Sequence, residues 1–263
     1  WLYVGYSHTE AMLSGWAPIA GTFGISLIVV LTAATLAYWL TTRARAALVL
    51  LCSLAMLWIA GVPLSSIEWT KAVTSTPIRV ALIQANIPQE HKWTSDALAP
   101  MLAYYRDMSR SLFDQHDLVV WPETAIPQMY QRALPFIGGI DKLAIAQNSA
   151  VIAGVPYGFE SESGRGYYNS VISLGNAEGH YHKRLMVPYC EYVPLEKLLR
   201  GVISFFDLPM SNFSKGAQHQ PQITLTTKAG DKLHLATYIC YEIAYPDVAK
   251  DALPQANLLL TAS

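Results

Sequence analysis

The chain has 263 residues, of which 52% are hydrophobic and only 14% are charged, and its mean hydropathy is positive. Soluble domains carry about 25% charged residues, so this composition indicates association with a membrane. The formal net charge of −1 offers no basic surface for nucleic acid, and we expect no nucleic-acid partner. The cysteines Cys52, Cys190 and Cys240 are too far apart in sequence for a disulfide framework or a zinc motif, and the histidines lack metal-site spacing. We expect neither a metal nor another cofactor.

Two apolar runs dominate the first quarter of the chain. No charged residue lies between Ala11 and Thr42, and 16–40 would extend roughly 37 Å as a helix, enough for a bilayer core of about 30 Å. A second charge-free run predicts a helix over 46–64. Two buried core helices of a soluble protein are the alternative, but core helices rarely need about 20 uninterrupted apolar residues. We therefore predict a membrane region over 1–67 with two transmembrane helices.

The short turn between these helices contains Arg43 and Arg45. Short loops rich in Lys and Arg remain in the cytoplasm, so the turn is predicted to be cytoplasmic and the chain after about Pro63 extracytoplasmic. Because the sequence begins at Trp1 and stops directly after a predicted strand, we expect it to be a piece of a longer protein.

After a polar linker over 68–77, strands and helices alternate through 78–263, which predicts an α/β or α+β sheet domain. The predicted helices are "SDALAPMLAYYRDMSRSLF" and "LPFIGGIDKLAIAQNSA". The predicted strands are "IRVALIQANI", "DLVVWPET", "VIAGVPYG", "YYNSVISLG", "QITLTTK", "KLHLATYIC" and "ANLLLTAS". The Gly- and Ser-containing segments "FESESGRG" and "SNFSKGAQHQPQ" are predicted to be loops.

Three polar side chains stand where apolar strands end, and strand ends are where ligand sites of α/β proteins collect. These are Glu123 in "DLVVWPET", Lys183 in "GHYHKRLMVP" and Cys240 at the end of "KLHLATYIC". Each has a structural alternative: a helix cap for Glu123, a solvated basic patch with Arg184 for Lys183, and a buried core thiol for Cys240. Together they supply a base, a cation and a soft nucleophile, which is a coherent set for acyl transfer.

At these residues the sequence resembles a known family. "VVWPETAIP", "YHKRLMVPYCEYVPLE" and "YICYEIAYPD" are similar to the Glu, Lys and Cys blocks of the nitrilase superfamily. The membrane segments together with "IQANIPQEHKW" and "FFDLPMSNFSKG" narrow the resemblance to the apolipoprotein N-acyltransferase family. The resemblance implies a nitrilase-like αββα sandwich following transmembrane helices. It also implies that Glu123 is the general base, Lys183 the oxyanion stabiliser and Cys240 the acyl-carrying nucleophile.

The same resemblance assigns positioning or substrate-binding roles to four further residues, namely Trp93, Glu191, Tyr241 and Glu242. Trp93 matches a tryptophan near the family's substrate entrance, and Glu191 matches a second active-site glutamate. One departure is Cys190, which stands where the family usually has glycine. The family also has earlier transmembrane helices, later strands and a final membrane helix that are not in this sequence.

The implied reaction moves a fatty acyl chain from a membrane phospholipid to the N-terminal amine of a diacylglyceryl-cysteine lipoprotein. We expect a monomer in the bacterial inner membrane, with several membrane spans and the catalytic domain on the periplasmic side. The apolar loop "LRGVISFFDLPMSNF" is a candidate for lipid contact, with packing on the domain itself as the alternative. Two other functions stay open: a membrane-anchored amidase that hydrolyses C–N bonds, and a structural module without activity.

Overall fold

The computed structural model describes residues 3–74, 76–161, 164–187, 191, 213–253 and 255–263. The chain divides into two compact units, Trp1–Val73 and Thr74–Ser263. Two regions that the sequence singles out, Cys190 and the apolar residues of the loop over 199–212, lie outside the described residues.

The first unit consists of two short 3₁₀ helices, Val4–His8 and Met12–Trp16, followed by α1 (Ala17–Thr42) and α2 (Arg45–Leu64). Both long helices are apolar and long enough to cross a membrane. Arg43 ends α1 in the left-handed conformation, with φ of 55°, and its backbone N–H donates to the Trp39 carbonyl at 2.8 Å.

Glycines and tryptophan side chains bring the segments of the first unit together. A Cβ added to Gly15 would lie 2.1 Å from the carbonyl oxygen of Gly61, so only glycine permits this approach. The Trp16 indole N–H donates to the Leu57 carbonyl at 2.8 Å. The Trp58 indole donates to the Thr32 hydroxyl at 3.1 Å, which joins α2 to α1. These contacts satisfy polar groups between apolar helices.

The second unit is built on two sheets. The first sheet has the strand order β1-β2-β3-β4-β6, and its first three strands are parallel while the others pair antiparallel. The second sheet has the order β5-β7-β8-β9, with only β8 and β9 parallel. The strands are β1 (Val80–Leu82), β2 (Leu118–Val120), β3 (Ala150–Ser161), β4 (Gly164–Gly175), β5 (Ala177–Glu178), β6 (His180–His182), β7 (Ile223–Thr226), β8 (Lys232–Ile239) and β9 (Leu258–Ala262).

Side-chain alternation along the strands produces layers of helix, sheet, sheet and helix. Ile152 of β3 packs between the two sheets with Leu225 and Leu235, whereas its neighbour Val151 faces the helices on the outer side. That outer layer contains α3 (Gln89–Lys92), α4 (Ser95–Leu112) and α5 (Tyr130–Ala146). On the far side of the second sheet, Tyr238 packs with Val248 of α6 (Pro246–Ala252). The nitrilase-like layered fold is confirmed. Both predicted helices of this unit are present, but α5 begins four residues earlier than predicted and ends at Ala146, because Ala150 already belongs to β3.

One predicted loop is wrong. In the segment "FESESGRG", the described residues 159–161 and 164–166 continue the β3–β4 hairpin, with Phe159 opposite Gly166 and Glu160 opposite Arg165. Two cross-strand interactions explain the extension: Arg165 Nε lies 3.0 Å from Glu160 Oε1, and the Phe159 ring stacks on Tyr168 at 4.4 Å. The first predicted strand is also shorter than expected, because only Val80–Leu82 pairs with β2. The other predicted loop is confirmed over its described residues, 213–222.

Candidate active site

The three predicted site residues all follow strand ends. Glu123 lies three residues beyond β2, Lys183 directly follows β6, and Cys240 directly follows β8. Strands β2 and β6 belong to the first sheet and β8 to the second, so the site draws on both halves of the sandwich.

The loop that carries Glu123 rests on the backbone of β3. A Cβ added to Gly154 would lie 2.3 Å from the Thr124 nitrogen and 2.8 Å from the Glu123 Cα. Thr124 itself has a left-handed φ of 49°, which turns the chain sharply after the glutamate. The Ile126 N–H donates to the Gly154 carbonyl at 3.1 Å. A glycine in β3 and a strained turn therefore fix the position of Glu123.

Lys183 is the centre of a buried charge cluster. Its side chain is 1% exposed, and its Nζ lies 2.8 Å from Glu191 Oε1 and 4.0 Å from Glu123 Oε1. The Asn169 amide nitrogen donates to both carboxylates, at 2.6 Å to Glu123 and 3.3 Å to Glu191. The other oxygen of Glu191 accepts the Val187 backbone N–H at 2.9 Å. The structure thus brings together Glu123, Lys183 and Glu191, and Asn169 connects the two carboxylates.

Cys240 begins a sharp turn, the 3₁₀ helix Cys240–Ala244, and has a left-handed φ of 54°. Burial raises the pKa of the Cys240 thiol, and the negative charge of Glu123 raises it further. The positive charge of Lys183 and the backbone N–H of Tyr241 lower this pKa, but they only partly offset the rise. The resting thiol is therefore protonated at neutral pH, and it needs a base to become a nucleophile.

Glu242 is surrounded by hydrogen-bond donors. It is fully buried, and the Tyr181 hydroxyl donates to its two carboxylate oxygens at 3.1 and 3.0 Å. It also accepts the backbone N–H groups of Arg184, Leu185 and Ile239 at 2.8–2.9 Å. Burial, followed by the charge of Glu242, raises the pKa of Tyr181, so the hydroxyl stays a donor. Glu242 ties the chain around Cys240 to the chain after Lys183.

Trp93 and Tyr241 each stand next to a residue of the site in sequence, Trp93 after Lys92 and Tyr241 after Cys240. Trp93 follows α3 and is 44% exposed. The Tyr241 ring lies edge-on against Tyr245, with centroids 5.3 Å apart, while its backbone N–H is directed at the Cys240 thiol. Lys92, which precedes Trp93 and is the last residue of α3, donates from Nζ to the Glu123 backbone carbonyl at 2.9 Å.

Sequence reasoning missed Asn169 and Lys92. Asn169 is a buried polar residue within the long strand β4 rather than at its end, so the strand-end criterion could not select it. Lys92 stands next to Trp93 in "NIPQEHKW", and proximity to that motif was the available signal. Across the part of the chain that the structure describes, no group of three or more His, Cys, Asp or Glu side chains could hold a metal ion.

Comparison with known proteins identifies the family of the chain. The carbon-nitrogen hydrolase family matches residues 79–263, and the chain belongs to this family. Over its whole length the chain is 43% identical to the apolipoprotein N-acyltransferase of Pseudomonas syringae pv. tomato and 40% identical to that of Azotobacter vinelandii. It covers 51% and 50% of these two proteins, so it spans about half the length of the curated relatives it matches.

Solved structures are more distant. A CN-hydrolase superfamily protein from Xanthomonas campestris is 18% identical, with a TM-score of 0.46 over 70% of this chain and 64% of that chain. The family assignment therefore rests on the sequence match, and the chemistry must be argued from the side chains of the site.

Proposed function

We propose that the protein transfers a fatty acyl chain from a membrane phospholipid, through a thioester on Cys240, to the N-terminal amine of a diacylglyceryl-cysteine lipoprotein. The observation that carries the proposal is the buried Glu123–Lys183–Glu191 cluster whose charges act on the Cys240 thiol. Two helices able to cross a membrane on the same chain, and the names of the relatives, support lipid substrates.

In the proposed first half-reaction, Cys240 Sγ attacks the ester carbonyl carbon of the phospholipid while Glu123 takes the thiol proton. The Lys183 ammonium and the Tyr241 backbone N–H stabilise the oxyanion of the tetrahedral intermediate. Collapse of this intermediate breaks the acyl C–O bond. Glu123 returns its proton to the departing alkoxide, which releases a lysophospholipid and leaves the acyl group on sulfur.

In the second half-reaction the α-amine of the acceptor attacks the thioester carbon. The reference pKa of an α-amino group is about 8, so an appreciable fraction of the acceptor is unprotonated at neutral pH. Glu123 takes a proton from the attacking nitrogen and passes it to the departing Cys240 sulfur. The new amide bond replaces the C–S bond, and the free thiol is regenerated.

Both substrates in this scheme are lipids. Apolar helices that hold the enzyme in the membrane would let it act on them without extracting them from the bilayer. Extraction of an acyl chain from a bilayer costs about 0.8 kcal/mol for each methylene exposed to water. We place the enzyme in the bacterial inner membrane as a multi-pass monomer, with the sheet unit on the periplasmic side. The support for this orientation is the Arg43–Arg45 turn.

A membrane-anchored amidase is the second candidate, because the matched family is described as a carbon-nitrogen hydrolase. It would use the same nucleophile and base, but water would attack the acyl-enzyme. The two functions therefore differ in the fate of the thioester rather than in its formation.

The deciding experiment gives the purified protein phospholipid without an acceptor. A transferase that excludes water should release about one lysophospholipid per active site and then stop, with the acyl mass on Cys240. A diacylglyceryl-cysteine peptide should then discharge the thioester and form an amide. Steady release of free fatty acid, at the rate of the peptide-driven reaction, would contradict the transferase and support the hydrolase. Cys240→Ala provides the control that should release neither product.

A further inference from the structure

We propose that Lys92 is a positioning residue of this site: it holds the loop that carries Glu123 and supplies the second positive charge that the two carboxylates of the cluster need. This proposal rests on the proposed function for the role of Glu123 as the base. It adds a residue that neither the strand-end pattern nor the family resemblance selects.

Lys92 directly contacts the loop that carries Glu123. Lys92 is the last residue of α3, it is half-buried, and its Nζ donates to the backbone carbonyl of Glu123 at 2.9 Å. The same loop packs against Gly154 of β3 through backbone atoms. Glu123 is therefore held from two sides, by a strand and by the side chain of a short helix.

The Lys183 ammonium lies between two carboxylates, those of Glu123 and Glu191. Glu123 and Glu191 converge on the Asn169 amide nitrogen, at 2.6 and 3.3 Å, so two negative groups lie close together. Lys183 is closer to Glu191, at 2.8 Å, than to Glu123, at 4.0 Å. One ammonium for two carboxylates leaves a net negative charge, which a second cation would balance. Lys92 restores neutrality where Lys183 is more distant.

The electrostatics of Lys92 agree with this arrangement. Burial lowers the pKa of the Lys92 ammonium, while the negative charge of Glu123 opposes the change and raises it. This attraction is mutual, so the Lys92 ammonium is a favourable partner for the negative charge of Glu123. An ionised Glu123 is the form that can accept the Cys240 proton.

The test separates the charge of Lys92 from its hydrogen bond. Lys92→Gln keeps an N–H donor for the Glu123 carbonyl but removes the charge, Lys92→Arg keeps the charge, and Lys142→Met changes an exposed lysine of α5 as a control. The readout is the pH profile of the p-nitrophenolate burst from p-nitrophenyl butyrate. In this reaction Cys240 displaces the phenolate to form a butyryl thioester and Glu123 takes the thiol proton.

We expect the acidic limb of the Lys92→Gln profile to move up by about one pH unit, so that the burst rate below the limb falls about tenfold. Lys92→Arg and Lys142→Met should keep the wild-type limb. The proposal would be overturned if the acidic limb of Lys92→Gln stayed at the wild-type pH, even if the burst rate fell by the same factor at every pH. A residue with a merely structural role would act in that way.

The ester probe also separates this inference from the proposed function. A wild-type ester burst without any reaction toward phospholipid would contradict the acyltransferase, while the Lys92 comparison could still be made. A wild-type protein without an ester burst would overturn both. Should Lys92→Gln fail to fold, Lys92→Met serves as the uncharged variant, with the same expected shift and the same contradicting result.

Discussion

Lys183 and Glu191 form a buried ion pair in which Nζ lies 2.8 Å from Oε1 and the lysine side chain is 1% exposed. Two charges removed from water are tolerated when each finds the other and the remaining hydrogen-bonding capacity is filled. Glu191 meets this condition through the Val187 N–H and the Asn169 amide. The pair therefore links the stability of the unit to the chemistry proposed for Lys183.

Removal of one partner should be worse for stability than removal of both. Glu191→Gln leaves the Lys183 ammonium without its nearest anion, and we expect a loss of about 3 kcal/mol in the free energy of unfolding. The double variant Lys183→Met/Glu191→Gln should recover part of this loss, because no buried charge is left unpaired. Unfolding of the detergent-solubilised protein measures the effect.

Turnover should not recover in the double variant, although stability does in part. Any variant without the Lys183 ammonium should lose the oxyanion stabilisation, a decrease in turnover on the order of 100-fold or more. The double variant should then be more stable than Glu191→Gln and still inactive. Retained turnover in a well-folded Lys183→Met protein would remove Lys183 from the mechanism.

The reactivity of Cys240 should depend on pH in a direction that each charged neighbour sets. Because burial and Glu123 raise the pKa of the Cys240 thiol, its alkylation by iodoacetamide should have a midpoint above the value of about 8.5 for a free thiol. Glu123→Gln removes a negative charge and should lower this midpoint. Lys183→Met removes a positive charge and should raise it.

Turnover distinguishes reactivity from catalysis in the same variants. Glu123→Gln should have a more reactive thiol and yet lose about 100-fold or more in acyl transfer, because the base is absent. Mass spectrometry of the Cys240 peptide separates this thiol from Cys52 and Cys190, and unfolded protein gives the free-thiol reference. An alkylation midpoint that does not move in either variant would show that the charges do not act on Cys240.

The glycine under the Glu123 loop provides a test of geometry alone. In Gly154→Ala the new methyl would meet backbone atoms at 2.3–2.8 Å, so the loop must move. We expect a destabilisation of about 2 kcal/mol and a decrease in turnover on the order of 100-fold. Gly158→Ala in the same strand meets only the Gln131 side chain, at 3.1 Å or more, and should be nearly silent. Equal activity in the two variants would contradict the proposed role of the loop.

The sequence alone could locate the three residues at strand ends because each combines an apolar run with an abrupt polar side chain. Their roles came from the family resemblance, since a strand end does not distinguish a base from a cap. Asn169 and Lys92 could not be found in this way. Their importance depends on contacts across 46 and 31 positions of sequence, which no local pattern encodes.

The same contrast holds for the secondary structure, since the sequence predicts some elements and not others. Amphipathic periodicity predicted α4 and α5, whose buried positions recur at helical spacing, as in Ile137, Ile140 and Ala144. The outer part of the β3–β4 hairpin, 159–161 with 164–166, is not predicted from the sequence, because its polar and glycine-rich composition is typical of a loop. Cross-strand partners stabilise it, and a partner strand becomes visible only in three dimensions.

The orientation in the membrane can be tested independently of catalysis. In a variant without native cysteines, Glu160→Cys on the exposed part of the hairpin should react with an impermeant thiol reagent added to intact spheroplasts. Thr42→Cys, next to the Arg43 turn, should react only after the membrane is permeabilised. The reverse labelling pattern would place the sheet unit in the cytoplasm and contradict the proposed localisation.

Glu242 should act on the reaction only through the position of Cys240. Its two oxygens accept from four donors, so Glu242→Gln, which replaces one oxygen by an NH₂ group, leaves buried donors unpaired at about 1–3 kcal/mol each. Tyr181→Phe removes a single donor and should cost less. We expect unfolding temperature and turnover to fall together, in the order wild type, Tyr181→Phe, Glu242→Gln, since both changes remove contacts of Glu242 that hold the turn after β8 against β6 and the residues that follow it. A Glu242→Gln protein with wild-type stability and no turnover would instead mean that the carboxylate takes part in the chemistry.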